Sequence, residues 1–268
     1  MKPEIKKRNN VTVIGNDPSK ETIIFAHGFG SDQSAWQPQV EAFKNDYNIV
    51  LFDMVGAGNS DFSAYSPHRY STLHTYADDM IEIVHELNLD KPILVSHSVS
   101  GMISLLAAVR EPGIFKKIVF IGASPRYLND KDYTGGFEQT DLDGLFNAMS
   151  VNYHAWAAGF SAMAMGNPER PELGEEFART LSAIRPDVAQ AVARVIFQSD
   201  HRNDLSKLKA ETLIIQSSED IAVPMEVGAY LHKYISNSKL MNIKARGHFP
   251  HMSEPDEVIG VLRTFIHV

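Results

Sequence analysis

The sequence predicts an α/β fold, a doubly wound and mostly parallel sheet interrupted by a purely helical insertion. Three observations point there. Short β-branched runs recur that are apolar on both faces, as strands sandwiched between helical layers must be. Helical stripes alternate with them, which implies right-handed crossovers. Between Ser124 and about Ser199 the alternation stops and no strand-like run occurs. The 268 residues, 44% of them hydrophobic, fit one large domain better than two.

Residues 1–10 are Lys-rich and polar with no apolar run behind them, so they do not read as a secretory signal. Residues 22–27, 48–53, 92–97, 117–122 and 212–217 read as buried strands. Leu73, Tyr76, Ala77, Met80, Ile83, Val84 and Leu87 recur at intervals of three and four, the stripe of a helix packed on one face. Helical patterns follow one another at 142–149, 153–165, 172–184 and 186–198, with Pro186 suited to a first helical turn. Such an insertion between two strands is expected to cap the carboxyl ends of the sheet, where ligands of doubly wound folds bind. The division expected is therefore a core of residues 1–123 and 200–268 with a cap of residues 124–199.

Composition excludes several classes. The net charge of −8 argues against a nucleic-acid or anionic-membrane partner. No segment nears the roughly 18 uninterrupted apolar residues of a membrane span. The absence of cysteine removes disulfides, thiolate catalysis and Cys-based metal sites. A cytoplasmic location is the default expectation.

The chemistry centres on Ser98, which follows the strand at 92–97 and precedes a helical run. A serine on such a tight turn projects its hydroxyl above the sheet and needs small residues two positions either side. Those are usually glycines; here they are Ser96 and Ser100. A serine nucleophile needs a base held by a third group. Asp220 follows the strand at 212–217, and His248 follows a further apolar stretch at 240–243, with Gly247 permitting the turn that presents it. Glu219 competes for the orienting role; Asp220 is favoured. His251, three residues beyond His248, invites a metal pair, but without cysteine or a Glu-rich helix no metal is expected, and His251 reads as a polar residue near the start of the last helix. His97 reads as structural, because neighbours on a strand point oppositely.

Acyl transfer also needs donors for the developing oxyanion. The Val99 N–H at a helix start supplies one, and the Phe29 N–H in the loop His27-Gly28-Phe29-Gly30 is the candidate for the second. Neither that loop nor Gly56-Ala57-Gly58 completes a dinucleotide fingerprint, so no cofactor is expected. The insertion is rich in Phe137, Phe146, Trp156, Phe160, Met163, Met165, Phe177 and Phe197. Some of these should line a small, dry pocket over Ser98 for an uncharged ligand.

Over nearly the whole chain the sequence resembles the α/β-hydrolases that include RsbQ, a bacterial stress-pathway regulator, and the plant strigolactone and karrikin receptors. The resemblance rests on His27-Gly28-Phe29-Gly30, Phe52-Asp53-Met54-Val55-Gly56-Ala57-Gly58-Asn59-Ser60 and His97-Ser98-Val99-Ser100. It rests most of all on Ala123-Ser124-Pro125-Arg126-Tyr127-Leu128-Asn129-Asp130 and Asp132-Tyr133-Thr134-Gly135-Gly136-Phe137-Glu138. It implies a four-helix V-shaped cap, a triad of Ser98, His248 and Asp220, oxyanion donors at Phe29 and Val99, and a pocket lined by Phe29, Phe137, Phe160 and Phe197. It also implies slow hydrolysis of small esters or butenolide lactones and, in several members, signalling to a protein partner, which for RsbQ is a phosphatase with a PAS sensor domain. Ser96 departs from the family, where glycine is usual.

Two functions from different classes follow. One is a serine hydrolase of a small apolar ester or lactone; the other is a ligand sensor whose hydrolysis is incidental and which docks a regulatory protein. A dehalogenase would need a carboxylate in place of Ser98, whereas haloperoxidase-type and C–C bond hydrolase chemistry share the same triad.

Overall fold

A computed structural model describes residues 4–267. Seven strands, β1 (Thr12–Ile14), β2 (Thr22–Ala26), β3 (Asn48–Phe52), β4 (Ile93–His97), β5 (Lys117–Ile121), β6 (Glu211–Gln216) and β7 (Ser238–Asn242), form one sheet in the order β1-β3-β2-β4-β5-β6-β7. β1 pairs antiparallel with β3, and every other pair is parallel. The α/β architecture is the one expected. The helices are α1 (Ile5–Arg8), α2 (Gln37–Phe43), α3 (Leu73–Glu86), α4 (Val99–Arg110), α5 (Gln139–Val151), α6 (Tyr153–Met165), α7 (Pro171–Ala183), α8 (Pro186–Phe197), α9 (Met225–Tyr234), α10 (Pro250–Ser253) and α11 (Pro255–Ile266).

The strand pattern explains the layers. Neighbouring strand residues point to opposite faces. Ile24, Val50, Leu94, Ile118 and Ile214 thus join one apolar cluster with α3, α4 and α9, while Ile23, Ile49, Val95, Val119 and Leu213 join another with α2 and α11. The two edge strands escaped the sequence pattern because they are not apolar on both faces. β1 is largely exposed, and β7 presents Lys239 and Met241 to solvent. Polar, short edges of this kind discourage further strand pairing.

The four helices α5–α8 lie between β5 and β6 in the chain, within a residue or so of the predicted spans except that α5 is longer at both ends. They meet the core at the loops that leave the carboxyl ends of strands. Gly30, after β2, packs against Phe177 and Leu181; Gly56, after β3, against Val188; Gly247, after β7, against Met165. Thr180 Oγ1 donates to the Gly30 carbonyl at 2.8 Å.

His251 is the main departure from the sequence reading. It belongs to the short α10 and is fully buried, its ring stacked on Trp36 at 4.3 Å between centroids. Trp36 in turn packs on Phe25 of β2. An apolar run on α11 and a single proline at 250 gave no sign of a helix that folds inward. Burial, reinforced by the nearby His248 ring, pushes the His251 pKa down to about 3. Burial likewise lowers that of His97.

The folded state therefore refuses a proton that the unfolded chain accepts below its ordinary histidine pKa of 6.5. This contribution to stability is complete above pH 6.5 and is lost as the pH falls towards 3. We expect the urea-unfolding free energy to decline with acidification across that window. In His251→Phe the decline should be shallower by about one proton, or about 1.4 kcal/mol per pH unit. Parallel pH profiles for the two proteins would count against a buried neutral His251.

Candidate active site

β4 ends at His97 and α4 begins at Val99, leaving Ser98 alone at the turn with φ 55° and ψ −124°. A non-glycine residue rarely adopts positive φ, and its strain persists only where neighbours fix it. Here the Ser98 N–H donates to the Ile121 carbonyl at 2.8 Å, and the Gly101 N–H closes onto the Ser98 carbonyl at 2.9 Å. Ser96 and Ser100 are accommodated by hydrogen bonding. Ser96 Oγ pairs with Ser104 Oγ, Ser100 Oγ donates to the His27 carbonyl, and Ser104 Oγ donates to the Ser100 carbonyl at 2.6 Å. The position in this turn with no room for a side chain is Gly101, where a Cβ would lie 2.5 Å from that of Ala123.

His248 Nε2 lies 2.8 Å from Ser98 Oγ, and His248 Nδ1 lies 2.8 Å from Asp220 Oδ2. Asp220 is held in turn by the Ala222 and Val223 N–H groups, which donate to Oδ1 at 2.8 and 3.1 Å. Its side chain is completely buried, whereas Glu219 faces solvent. An acceptor on the Asp220 side requires Nδ1 to carry the proton, which leaves Nε2 free to accept from Ser98.

The loop carrying His248 is fixed from three sides. The Gly247 N–H donates to the Glu219 carbonyl at 2.6 Å, and the His248 N–H donates to the Ala164 carbonyl of α6 at 2.7 Å. His97 Nε2 donates to the His248 carbonyl at 2.7 Å. Gly247 needs to be glycine: its φ is +85°, and a Cβ would collide with the Met165 carbonyl.

The Val99 N–H stands at the first position of α4, where no intrahelical acceptor exists. The loop bearing Phe29 presses against the serine turn. A Cβ at Gly28 would lie 2.5 Å from His97 Nδ1 and 3.1 Å from Ser98 Cβ. The segments that carry the two candidate donors thus meet at the serine turn.

The aromatic residues separate into two groups. Phe137 and Phe197 surround Tyr127, with ring centroids 6.4 and 4.9 Å away. Phe160 instead stacks on Trp156 at 5.1 Å and approaches Phe177. Half-buried Phe29 packs against both groups' clusters. Phe146, Met165 and Phe177 are core residues, and Met163 is 59% exposed on the outer face of α6. Sequence reasoning missed Tyr127 as a site residue. Its hydroxyl lies 3.4 Å from Ser98 Oγ, and burial raises its pKa, so it stands protonated over the nucleophile. It sits in a loop without periodicity, and only its place in a motif of the resemblance could have drawn attention to it.

Residues 21–255 match the family model of the alpha/beta hydrolase fold. The chain is 44% identical over 98% of its length to the Karrikin insensitive 2 receptor CA of Petunia hybrida, covering 97% of that protein. It is 40% identical to the Strigolactone esterase D14 of Arabidopsis thaliana, covering 95% of this chain and 94% of that one. A solved structure of a hydrolase from Oleispira antarctica superposes with a TM-score of 0.95 at 36% identity, covering 98% and 96% of the two chains. A sheet of this order, a serine at its central turn and similarity along the full length place the chain in the α/β-hydrolase family, as a serine hydrolase related to the karrikin and strigolactone receptors.

Proposed function

We propose that this protein hydrolyses a small apolar ester or butenolide-type lactone through an acyl-enzyme on Ser98. The observation that carries this reading is the unbroken relay from Ser98 Oγ through His248 to buried Asp220, both links 2.8 Å long. Ser98 attacks the carbonyl carbon as its proton passes to His248 Nε2, and Asp220 stabilises the resulting imidazolium. The Phe29 and Val99 N–H groups receive the oxyanion, His248 then protonates the departing oxygen, and water repeats the sequence to release the acid. In a lactone the departing oxygen stays attached to the acyl group, so ring opening yields one product. Residues 124–199 act as a cap over this site, with Phe29, Phe137, Phe160 and Phe197 contributing apolar surface for the ligand.

A second reading has an observation of its own: the relative at 44% identity is named a receptor. In this reading the protein is a sensor with a regulatory role, for example in stress signalling. Hydrolysis is slow, and the ligand-bound cap docks a protein partner such as a PAS-domain phosphatase. Turnover separates the two, because ordinary enzymes cluster at about 10 per second and a sensor should fall orders of magnitude below.

Single-turnover mass spectrometry with a short-chain aryl ester and a butenolide should show an acyl adduct on wild type and none on Ser98→Ala. Steady-state hydrolysis should drop by about 10⁴-fold or more in that variant, while ligand affinity stays nearly unchanged. Hydrolysis that survives the substitution would refute Ser98 as nucleophile. Gly28→Ala, which has no room beside His97 and Ser98, should displace the Phe29 N–H and cost about 10²–10³ in kcat. Unimpaired kcat in that variant would exclude Phe29 as an oxyanion donor.

A further inference from the structure

His248 belongs to a loop, residues 246–253, that the turn between α6 and α7 grips at both ends. Helix α6 stops at Gly166, whose φ is +63°, and Pro171 opens α7. Gly166 lies against Gly247: a Cβ on it would stand 2.9 Å from the Gly247 Cα. Two facing glycines let the turn and the loop approach as bare backbone.

So close an approach leaves carbonyls to satisfy, and Asn167 and Arg170 supply the donors. Asn167 is 5% exposed. Its Nδ2 donates to the Met165 carbonyl at 2.5 Å and, across the gap, to the Arg246 carbonyl at 3.3 Å. Both amide hydrogens are then committed. Its Oδ1 accepts from Arg170 Nη2 at 3.0 Å, which fixes the orientation of the amide. Arg170 Nη1 donates to the Ser253 carbonyl at 2.8 Å, at the end of α10, and Nη2 also reaches Glu254 Oε1 at 2.8 Å. One guanidinium thus orders the amide that holds residue 246 and itself holds residue 253. A planar fork of several donors suits this task better than an ammonium. The neighbouring Arg246–Glu169 pair is exposed on both sides and adds little.

His248 lies between these two anchors, and its own N–H donates to the Ala164 carbonyl. A general base works only within hydrogen-bond reach of the proton that it takes. A displacement of about 1 Å can cost about 10²-fold even when its cause is remote from the chemistry. Resting on the hydrolase reading above, we propose that Arg170, acting with Asn167, is a positioning residue that sets the distance from His248 Nε2 to Ser98 Oγ. Arg170 takes no part in the proton relay itself.

The test compares 4-nitrophenyl acetate hydrolysis by wild type, Arg170→Met, Arg170→Lys and Glu169→Gln. The Arg170 side chain is 34% exposed, so its substitution opens no cavity in the core. In Arg170→Met kcat should fall about ten- to hundredfold, with KM changed by less than about twofold. Arg170→Lys keeps the charge and can still donate to one of the three acceptors, so its kcat should fall between the two. Glu169→Gln should keep kcat within about twofold of wild type. A rise in KM at unchanged kcat in Arg170→Met would mean that these contacts only seat the helices over the ligand, and it overturns the proposal while the hydrolase reading stands. Wild-type values of both constants do the same. If wild type forms no Ser98 adduct with any ester, the hydrolase reading falls, and ¹⁵N-histidine-labelled protein decides the positioning. A shifted His248 imidazole resonance in Arg170→Met supports it, and an unmoved one overturns it.

Discussion

The left-handed backbone at Ser98 is the constraint around which the active site is arranged. A strand leading straight into a helix leaves no extended conformation for the residue between them, so Ser98 is forced to φ 55°. That strain holds only because the turn is hydrogen-bonded to β5 and to the first turn of α4. Its neighbours pay a steric tax in glycine: Gly28 and Gly101 meet side chains at distances that exclude a Cβ. At Gly122 a Cβ would rest in ordinary contact with His248 and Asp220, but its φ of +56° still favours glycine. The hydroxyl is thereby presented, with little freedom, at the one place where loops after β2, β5, β6 and β7 converge.

The second arm of the site depends on the four-helix segment. His248 donates its backbone N–H to Ala164 near the end of α6, and Gly247 lies against the Met165 carbonyl. On its other side His248 accepts from His97, which is neutral because it is buried. With its proton on Nε2, His97 holds that carbonyl at 2.7 Å. Displacing α6 would pull directly on the loop that carries His248. Helix α6 and the loop that carries the His248 imidazole are thus mechanically one unit.

The sequence made much of this legible because the relevant signals are local. Buried parallel strands announce themselves by unbroken apolar runs; Ser98 and Asp220 each follow such a run, and His248 comes third in order after a shorter apolar stretch at 240–243. Contacts between distant segments left no such trace. Tyr127 reaches Ser98 from an aperiodic loop, Ser104 of α4 pairs with Ser96 of β4, and His251 turns inward onto Trp36. The edge strands were faint for the opposite reason: an exposed strand has no need of apolar residues on both faces, so β1 and β7 carry no periodic signal.

The same enclosure that favours acylation works against deacylation. Acylation needs only the substrate, which brings its own apolar surface to a wall of Phe, Val and Ile side chains. Deacylation needs a water beside His248, and the Tyr127 hydroxyl, backed by Phe137 and Phe197, already stands 3.4 Å from Ser98 Oγ. Excluding water strengthens the hydrogen bonds to the oxyanion and also lowers the supply of the second nucleophile. In the proposed mechanism this makes the acyl-enzyme the long-lived species. Because the Ala164 carbonyl of α6 holds the His248 loop, the position of the base and the packing of that helix are linked.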